Sequence, residues 1–369
     1  MRILFSAVPA HGHVLPMMPV AHAALSAGHE VSLLTSGSLS KLVDPVPVLD
    51  AGPTFDELSA AHSARTGAAR GAMSTPEDVA EFFVGTRVAA TFDLAGGAAA
   101  AFQPDLLICD AADEVGPLVA AQRGVPWARH SLGTELPREL AAATAAAARQ
   151  FGEARGLHSA ARVAYLDICP VALQAEDWEP PADRIAVRPS PFDQETKWVP
   201  PGFREPARPT VLVTLGTMLD DVPLLSEALE GLADLEVNVL VTSMPDRPAP
   251  LPPQSDGWAH DIGFVPLARV LPLADAVVCA GGMGTILAVL ATSVPFVSMP
   301  RFPSQRWITQ RAAELGAGIV LDGPEGVAGA VSVVLSDDRH RRGATASAAT
   351  LAEMAQPGQA LARLLALVR

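Results

Sequence analysis

The chain has 369 residues, enough for two domains of roughly 150–200 residues each. Hydrophobic residues make up 49% and charged residues 18%, a folded composition that excludes extensive disorder. The net charge of −14 argues against a nucleic-acid partner, because neutralising a phosphate backbone needs clustered Lys and Arg; an anionic ligand must instead be held by backbone amides or a few side chains.

The apolar opening from Met1 to Val8 is cut by Pro9, His11 and His13, so it reads as a first strand rather than a secretory signal. No stretch approaches the roughly 18 uninterrupted apolar residues of a membrane span. In the first half, β-branched runs at 3–8, 30–35, 45–49, 105–109 and 125–129 alternate with helical patterns at 15–27, 76–101, 115–122 and 137–153. Strands that are apolar throughout and alternate with helices predict a parallel sheet covered on both faces. Residues 51–74, rich in Gly, Ala, Ser and His, show no clear period and read as a loop. The proline-rich stretch 189–209 breaks the pattern and reads as a linker. After it the alternation restarts, with strands at 210–215, 236–242, 274–279, 296–299 and 317–321. Helices are expected at 223–232, 265–271, 282–292 and 305–315, and two closing helices at 341–354 and 358–368. The expected division is 1–188, linker 189–209, 210–355, and a C-terminal helix 356–369 that packs back on the first domain. The fold class is α/β, with two doubly wound parallel sheets. Cys109, Cys169 and Cys279 are far apart and follow no metal or redox spacing, which fits reduced thiols in the cytoplasm.

The strongest local signal is the strand ending at Cys279 and running into Ala280-Gly281-Gly282-Met283-Gly284-Thr285. A strand that ends in a glycine turn and opens a helix presents backbone N–H groups with no intrahelical partner, at the positive end of the helix dipole. Such a turn suits a phosphate; its glycines equally allow a helix to pack tightly on a sheet. The pattern is neither GxGxxG nor GxxxxGK[ST], which weakens dehydrogenase and P-loop readings. A second turn, Gly216-Thr217, follows the first strand of the same half, where ligands gather in doubly wound sheets. His11 and His13 follow the first strand of the chain. A histidine there is able to take a proton from a hydroxyl or merely to fill a turn. Asp110 ends another strand, placed either to orient a histidine or to cap a helix, with Asp113 and Glu114 as rivals.

These pieces together resemble the GT-B glycosyltransferases that include bacterial antibiotic and macrolide glycosyltransferases and the UDP-sugar transferases. The resemblance covers essentially the whole chain. Its markers are the 9–16 stretch with Gly12-His13, Ala27-Gly28-His29-Glu30-Val31, the strand from Pro104 to Asp110, Gly216-Thr217, Gly263-Phe264-Val265-Pro266, the Ala280–Thr285 turn, and Gln305 with Glu314-Leu315-Gly316-Ala317-Gly318. It implies two Rossmann-like domains facing across a cleft, acceptor on the first and nucleotide-sugar on the second. It also implies an inverting reaction in which His13, supported by Asp110, activates an acceptor hydroxyl, with His11 as competitor.

The same resemblance places the donor against Gly216, Thr217, Phe264, Val265, Ala280, Gly281, Gly282, Gly284, Thr285, Ser304 and Gln305. Ala280 stands where the family usually has a histidine that touches the diphosphate. One hydrogen bond to a charged group is worth about 1.5–3 kcal/mol. Ser304 replaces the usual acidic residue before Gln305, which suggests a donor with fewer hydroxyls, such as a deoxysugar. Met17, Phe82, Phe83 and Trp127, with His11, are candidates for an apolar acceptor pocket. The expected activity is transfer of a sugar from a dTDP- or UDP-sugar to a small apolar natural product, with neither metal nor cofactor; a homodimer is left open. The rivals are a nucleotide-sugar epimerase or hydrolase of the same fold and a non-catalytic relative.

Overall fold

The computed structural model describes residues 1–67, 75–158, 160–217 and 221–368. The chain forms two compact units: Met1–Cys169 with Gln174–Val187 and Ala355–Arg369, and Pro170–Leu173 with Arg188–Met354.

In the first unit the order is β1 (Arg2–Ser6), α1 (His11–Val14), α2 (Met18–Ser26), β2 (Glu30–Thr35), β3 (Val48–Asp50), α3 (Phe55–Thr66) and α4 (Pro76–Ala80). A π-helical segment, Glu81–Thr86, leads into α5 (Arg87–Phe102). Then come β4 (Leu106–Asp110), α6 (Val115–Arg123), β5 (Trp127–His130), α7 (Arg138–Glu153), β6 (Arg162–Asp167) and β7 (Arg184–Ala186). The seven strands form one sheet in the order β3-β2-β1-β4-β5-β6-β7, parallel throughout. Every residue of β4 is buried, as a strand covered on both faces requires. Leu4, Leu34, Phe92, Leu107, Val119 and Trp127 pack into one of its core clusters.

In the second unit β8 (Thr210–Thr214), α8 (Val222–Leu232), β9 (Asn238–Thr242), β10 (Ala259–Gly263), α9 (Leu267–Val270), β11 (Ala276–Cys279) and α10 (Met283–Ala291) are followed by β12 (Phe296–Ser298), α11 (Pro303–Glu314), β13 (Gly318–Val320), α12 (Val327–Ser336) and α13 (Asp338–Ala352). Its six strands run β10-β9-β8-β11-β12-β13, again all parallel. Val213, Leu229, Val239, Val278, Val297 and Val331 share its core. The last helix, α14 (Pro357–Ala366), packs against α2 of the first unit, after a parallel bridge between Val187 and Ala355.

Several expectations need correction. Residues 55–66, expected to be loop, are helical in α3. The helix is set by its ends. Thr54 Oγ1 accepts from the Glu57 N–H at 3.3 Å, Glu57 Oε2 accepts from the Thr54 N–H at 2.8 Å, and Gly67 closes the helix at φ +75°. Only Leu58 and His62 are buried in it, so it carries almost no apolar period. The rest of that expected loop, 68–74, lies outside the described residues. The strand expected at 45–49 is shorter and later, Val48–Asp50. Strands β6, β7 and β10 and helix α12 were not anticipated. β6 and β7 carry arginines and an aspartate, and β10 reads Ala-His-Asp-Ile-Gly. Asp261 of β10 is consumed internally, accepting from Ser243 Oγ and from the backbone of Ala249 and Gly263 at 2.7, 2.8 and 2.9 Å. Residues 189–209 form neither helix nor strand and are tied to the second unit, where Phe192 O accepts from Ala268 N and Asp193 pairs with Arg269 at 2.5 Å.

Candidate functional site

In a doubly wound sheet the crevice opens where successive crossovers leave in opposite directions, at the carboxyl ends of two adjacent strands. The strand order puts that point between β1 and β4 in the first unit and between β8 and β11 in the second. The segments after β1 and β4 hold His13 and Asp110; those after β8 and β11 hold Gly216-Thr217 and Gly281–Thr285. Each candidate group therefore sits at the switch point of its own sheet.

His13 lies in α1, which starts five residues after β1 ends. Its Nδ1 is 3.2 Å from Asp110 Oδ1. Asp110 is fully buried and the His13 side chain is 19% exposed. An ionised carboxylate only accepts, so in this pair Nδ1–H donates, leaving Nε2 of the neutral imidazole as a proton acceptor. Asp110 does not cap α6. Its Oδ1 also accepts from Ala112 N at 2.7 Å and its Oδ2 from Val8 N at 2.8 Å. Burial pushes its pKa up, but the nearby His13 and these hydrogen bonds outweigh it and hold the carboxyl below its usual value.

The two rivals of Asp110 are engaged elsewhere. Asp113 is buried and paired with Arg87; it also accepts from Ser6 Oγ and from Val115 N and Gly116 N at the start of α6. Glu114 pairs with Arg129 at 3.2 Å, and its burial raises its pKa. His11 occupies the same short helix, and burial lowers its pKa. The partner of Asp110 among the two histidines is His13.

Of the apolar acceptor candidates, Phe83 is half-buried with its ring 6.3 Å from that of His13. Met17 and Phe82 are closed inside the unit, Phe82 against Phe55, His62 and Phe83. Trp127 is buried in β5 with its indole N–H donating to Ala160 O at 2.9 Å. Sequence reasoning missed His130, the residue beside Asp110 in the β4–β5 register. It is fully buried, its Nδ1 lies 2.8 Å from Ser131 O, and burial lowers its pKa to about 4. An adjacent Arg-His dipeptide in a short strand gave no sign of this.

In the second unit Gly281 follows β11 at φ +78°, a conformation that favours glycine, and a Cβ there would stand 2.3 Å from Thr309 Cγ2 and 2.8 Å from Ser298 Oγ. That glycine has a structural cause. Gly284 has none. It lies in the first turn of α10, its φ is not positive, and a Cβ would meet nothing within 4 Å among the described residues. Glycine in a helix costs about 0.5–1 kcal/mol relative to alanine. Gly282 caps α10 without a side-chain hydrogen bond, so the first N–H groups of the helix are left for an outside acceptor.

Gly216 adopts φ +81°, and Thr214, which ends β8, accepts from Thr242 Oγ1 at 2.7 Å. Ala280 is buried, and Thr285 lies in the first turn of α10. Phe264 is half-buried and Val265 buried, just beyond Gly263 at φ +64°. Ser304 is exposed at the start of α11. Gln305 Oε1 accepts from the backbone N–H groups of Arg301 and Phe302 at 2.9 and 3.2 Å. Its carbonyl thus caps its own helix, and its amide N–H groups are the part able to donate to a ligand. Among the described residues no cluster of His, Cys, Asp or Glu could hold a metal ion, and no helix is long and apolar enough to cross a membrane.

Two all-parallel, doubly wound units, one with a histidine–carboxylate pair and the other with an open helix N-terminus at its switch point, define a GT-B fold protein. Residues 226–367 match the erythromycin biosynthesis protein CIII-like C-terminal domain family. The chain is 29% identical to L-demethylnoviosyl transferase of Streptomyces niveus over 92% of its own length and 91% of that protein. It is 28% identical to elloramycin glycosyltransferase ElmGT of Streptomyces olivaceus over 99% and 97%. The glycosyltransferase SsfS6 of Streptomyces sp. SF2575, solved with thymidine diphosphate, superposes with a TM-score of 0.82 at 27% identity, covering 99% of each chain. The chain is thus a GT-B glycosyltransferase similar to natural-product glycosyltransferases of antibiotic biosynthesis.

Proposed function

We propose that this chain is an inverting glycosyltransferase that moves a deoxysugar from a dTDP-sugar to a hydroxyl of a small, largely apolar natural product. The observation that carries the reading is the His13–Asp110 pair at the switch point of the first sheet. His13 Nε2 removes the acceptor hydroxyl proton as that oxygen attacks the anomeric carbon. The bond from that carbon to the diphosphate oxygen breaks, and the nucleoside diphosphate leaves with the electron pair. Asp110 stabilises the imidazolium so formed. The N–H groups at the start of α10 take up charge developing on the diphosphate. His11 and Phe83, the acceptor candidates not closed into the core, contribute to acceptor binding. Gly216, Thr217, Phe264, Val265 and Gln305 contribute to donor binding.

Thymidine is favoured over uridine by the neighbour solved with thymidine diphosphate, and a deoxysugar by Ser304 in place of a carboxylate. Ala280 supports one other reading, a relative that binds nucleotide without turning it over. Calorimetry with dTDP and UDP, paired with a transfer assay on a panel of dTDP-deoxysugars and polycyclic phenols, separates them. The expected result is dTDP binding by the protein and by His13→Ala alike, with transfer reduced roughly 10²–10⁴-fold in the variant. Absence of binding to either nucleotide would sink the transferase reading, and UDP binding without dTDP binding would overturn the choice of donor. Binding without turnover of any donor would favour the non-catalytic one, and donor loss without acceptor the epimerase or hydrolase.

A further inference from the structure

Cys279, the last residue of β11, pairs with Thr214 of β8 on one side and with Ser298 of β12 on the other. The segments that leave β8 and β12 therefore flank the Gly281–Thr285 turn. Arg301 follows β12 and Asp221 caps α8. Arg301 Nε lies 3.1 Å from Asp221 Oδ2, so an ion pair joins the two flanking segments past the carboxyl end of β11. From the centre of the sheet β8 leads outward to β9, and β11 leads outward to β12 in the opposite direction. Right-handed crossovers then put α8 and α10 on opposite faces of the sheet, and the pair spans the crevice at the switch point, where ligands gather.

The backbone fixes Arg301 against the glycine turn. Met299 N donates to Cys279 O at 2.8 Å. Gln305 Oε1 accepts from Arg301 N at 2.9 Å, and the backbone oxygen of Gln305 stands 3.4 Å from where a Cβ on Gly281 would be. The Arg301 side chain is 44% exposed, and its Nη1 and Nη2 have no partner among the described residues. Asp221 has its other oxygen, Oδ1, occupied by the Leu224 N–H at 3.0 Å. One carboxylate thus holds the Nε edge of the guanidinium and leaves its outer N–H groups open, a fork that suits phosphate oxygens. An ion pair this exposed adds little to stability, so the fold does not depend on it. The turn beneath has no cation of its own, since residues 280–291 contain no basic side chain.

Resting on the transferase reading, which puts the donor diphosphate at the start of α10, we propose that Arg301 binds that diphosphate and supplies the positive charge that Ala280 omits. Asp221 is its positioning residue, holding the guanidinium across the crevice before the donor arrives. The diphosphate then bridges the first N–H groups of α10 and the outer N–H groups of Arg301, and Arg301 stands between two anions, the ligand and Asp221. Arg301 strengthens the binding of a nucleoside diphosphate and leaves that of the bare nucleoside untouched, because its partner is the phosphate.

The test compares dTDP with thymidine, and UDP with uridine in parallel, by calorimetry and ligand-observed NMR. It uses the whole chain, Arg301→Gln, Asp221→Asn and the double variant, with transfer assayed on the same samples. Arg301→Gln should weaken the diphosphate that binds by about tenfold or more, as loss of a hydrogen bond to a charged group predicts, and leave nucleoside binding and the thermal midpoint unchanged. Were Arg301 merely neutralising Asp221, the loss would vanish in the Asp221→Asn background; it should persist there. Unchanged diphosphate affinity in Arg301→Gln, a loss shared by the nucleoside, or a loss abolished by Asp221→Asn would each overturn the role of Arg301 and leave the transferase reading standing. If neither dTDP nor UDP binds the unaltered protein, that reading falls and the role of Arg301 with it. The expected loss of diphosphate affinity without transfer from any donor would overturn the transferase reading alone.

Discussion

Replacing Gly284 by alanine separates a glycine kept for folding from one kept for a ligand. Gly284 sits two residues into α10, where a Cβ points back toward the helix N-terminus and so toward any anion held there. The described protein leaves that space empty out to 4 Å. On folding grounds alone Gly284→Ala should be neutral or stabilising by about 0.5–1 kcal/mol, a rise of roughly 1–4 °C in the midpoint of a domain this size. For binding, the methyl group holds the diphosphate off the backbone and breaks one charge-assisted hydrogen bond, worth about 1.5–3 kcal/mol. That is a roughly 10- to 150-fold loss of dTDP affinity. Calorimetry with dTDP beside a thermal melt reads both quantities. Unchanged dTDP affinity in a protein at least as stable would refute the assignment of the α10 N-terminus as the diphosphate site.

Asp110→Asn should lower transfer roughly 10²–10⁴-fold, because the imidazolium at His13 loses its counter-charge. It should also cost about 1–3 kcal/mol of stability in a urea titration, since one amide oxygen cannot accept from Val8 N, Ala112 N and His13 together. Full activity in this variant would remove Asp110 from the mechanism. His130 makes stability depend on pH. Its folded pKa is about 4 against an ordinary 6.5, so between those values the unfolded chain binds a proton that the folded chain refuses. Stability is then complete above pH 6.5 and falls by about 3 kcal/mol as pH drops to 4. His130→Gln should flatten that part of the urea midpoint against pH; an unchanged slope would assign the acid sensitivity elsewhere.

The sequence by itself determined that this is a parallel α/β chain. Apolar runs such as 105–109 and 274–279, alternating with helical stretches, are the mark of a parallel sheet covered on both faces, and the signal is local. It also exposed the glycine turn after β11 and the histidines after β1, because both lie within a few residues of a strand end. It did not reveal α3, whose capping box replaces an apolar face, nor β10, whose aspartate is satisfied by hydrogen bonds made at a distance. Only the tertiary structure decided which histidine meets Asp110, since that contact joins residues 97 apart, and that Asp113 is absorbed by Arg87 and Ser6. It likewise separated Phe83, beside His13, from Met17, Phe82 and Trp127, which are core. The distinction between Gly281 and Gly284 was equally invisible in the chain: both are glycines in one turn, and what would crowd a Cβ is supplied by Thr309 and Ser298, elements that only the packed fold brings there.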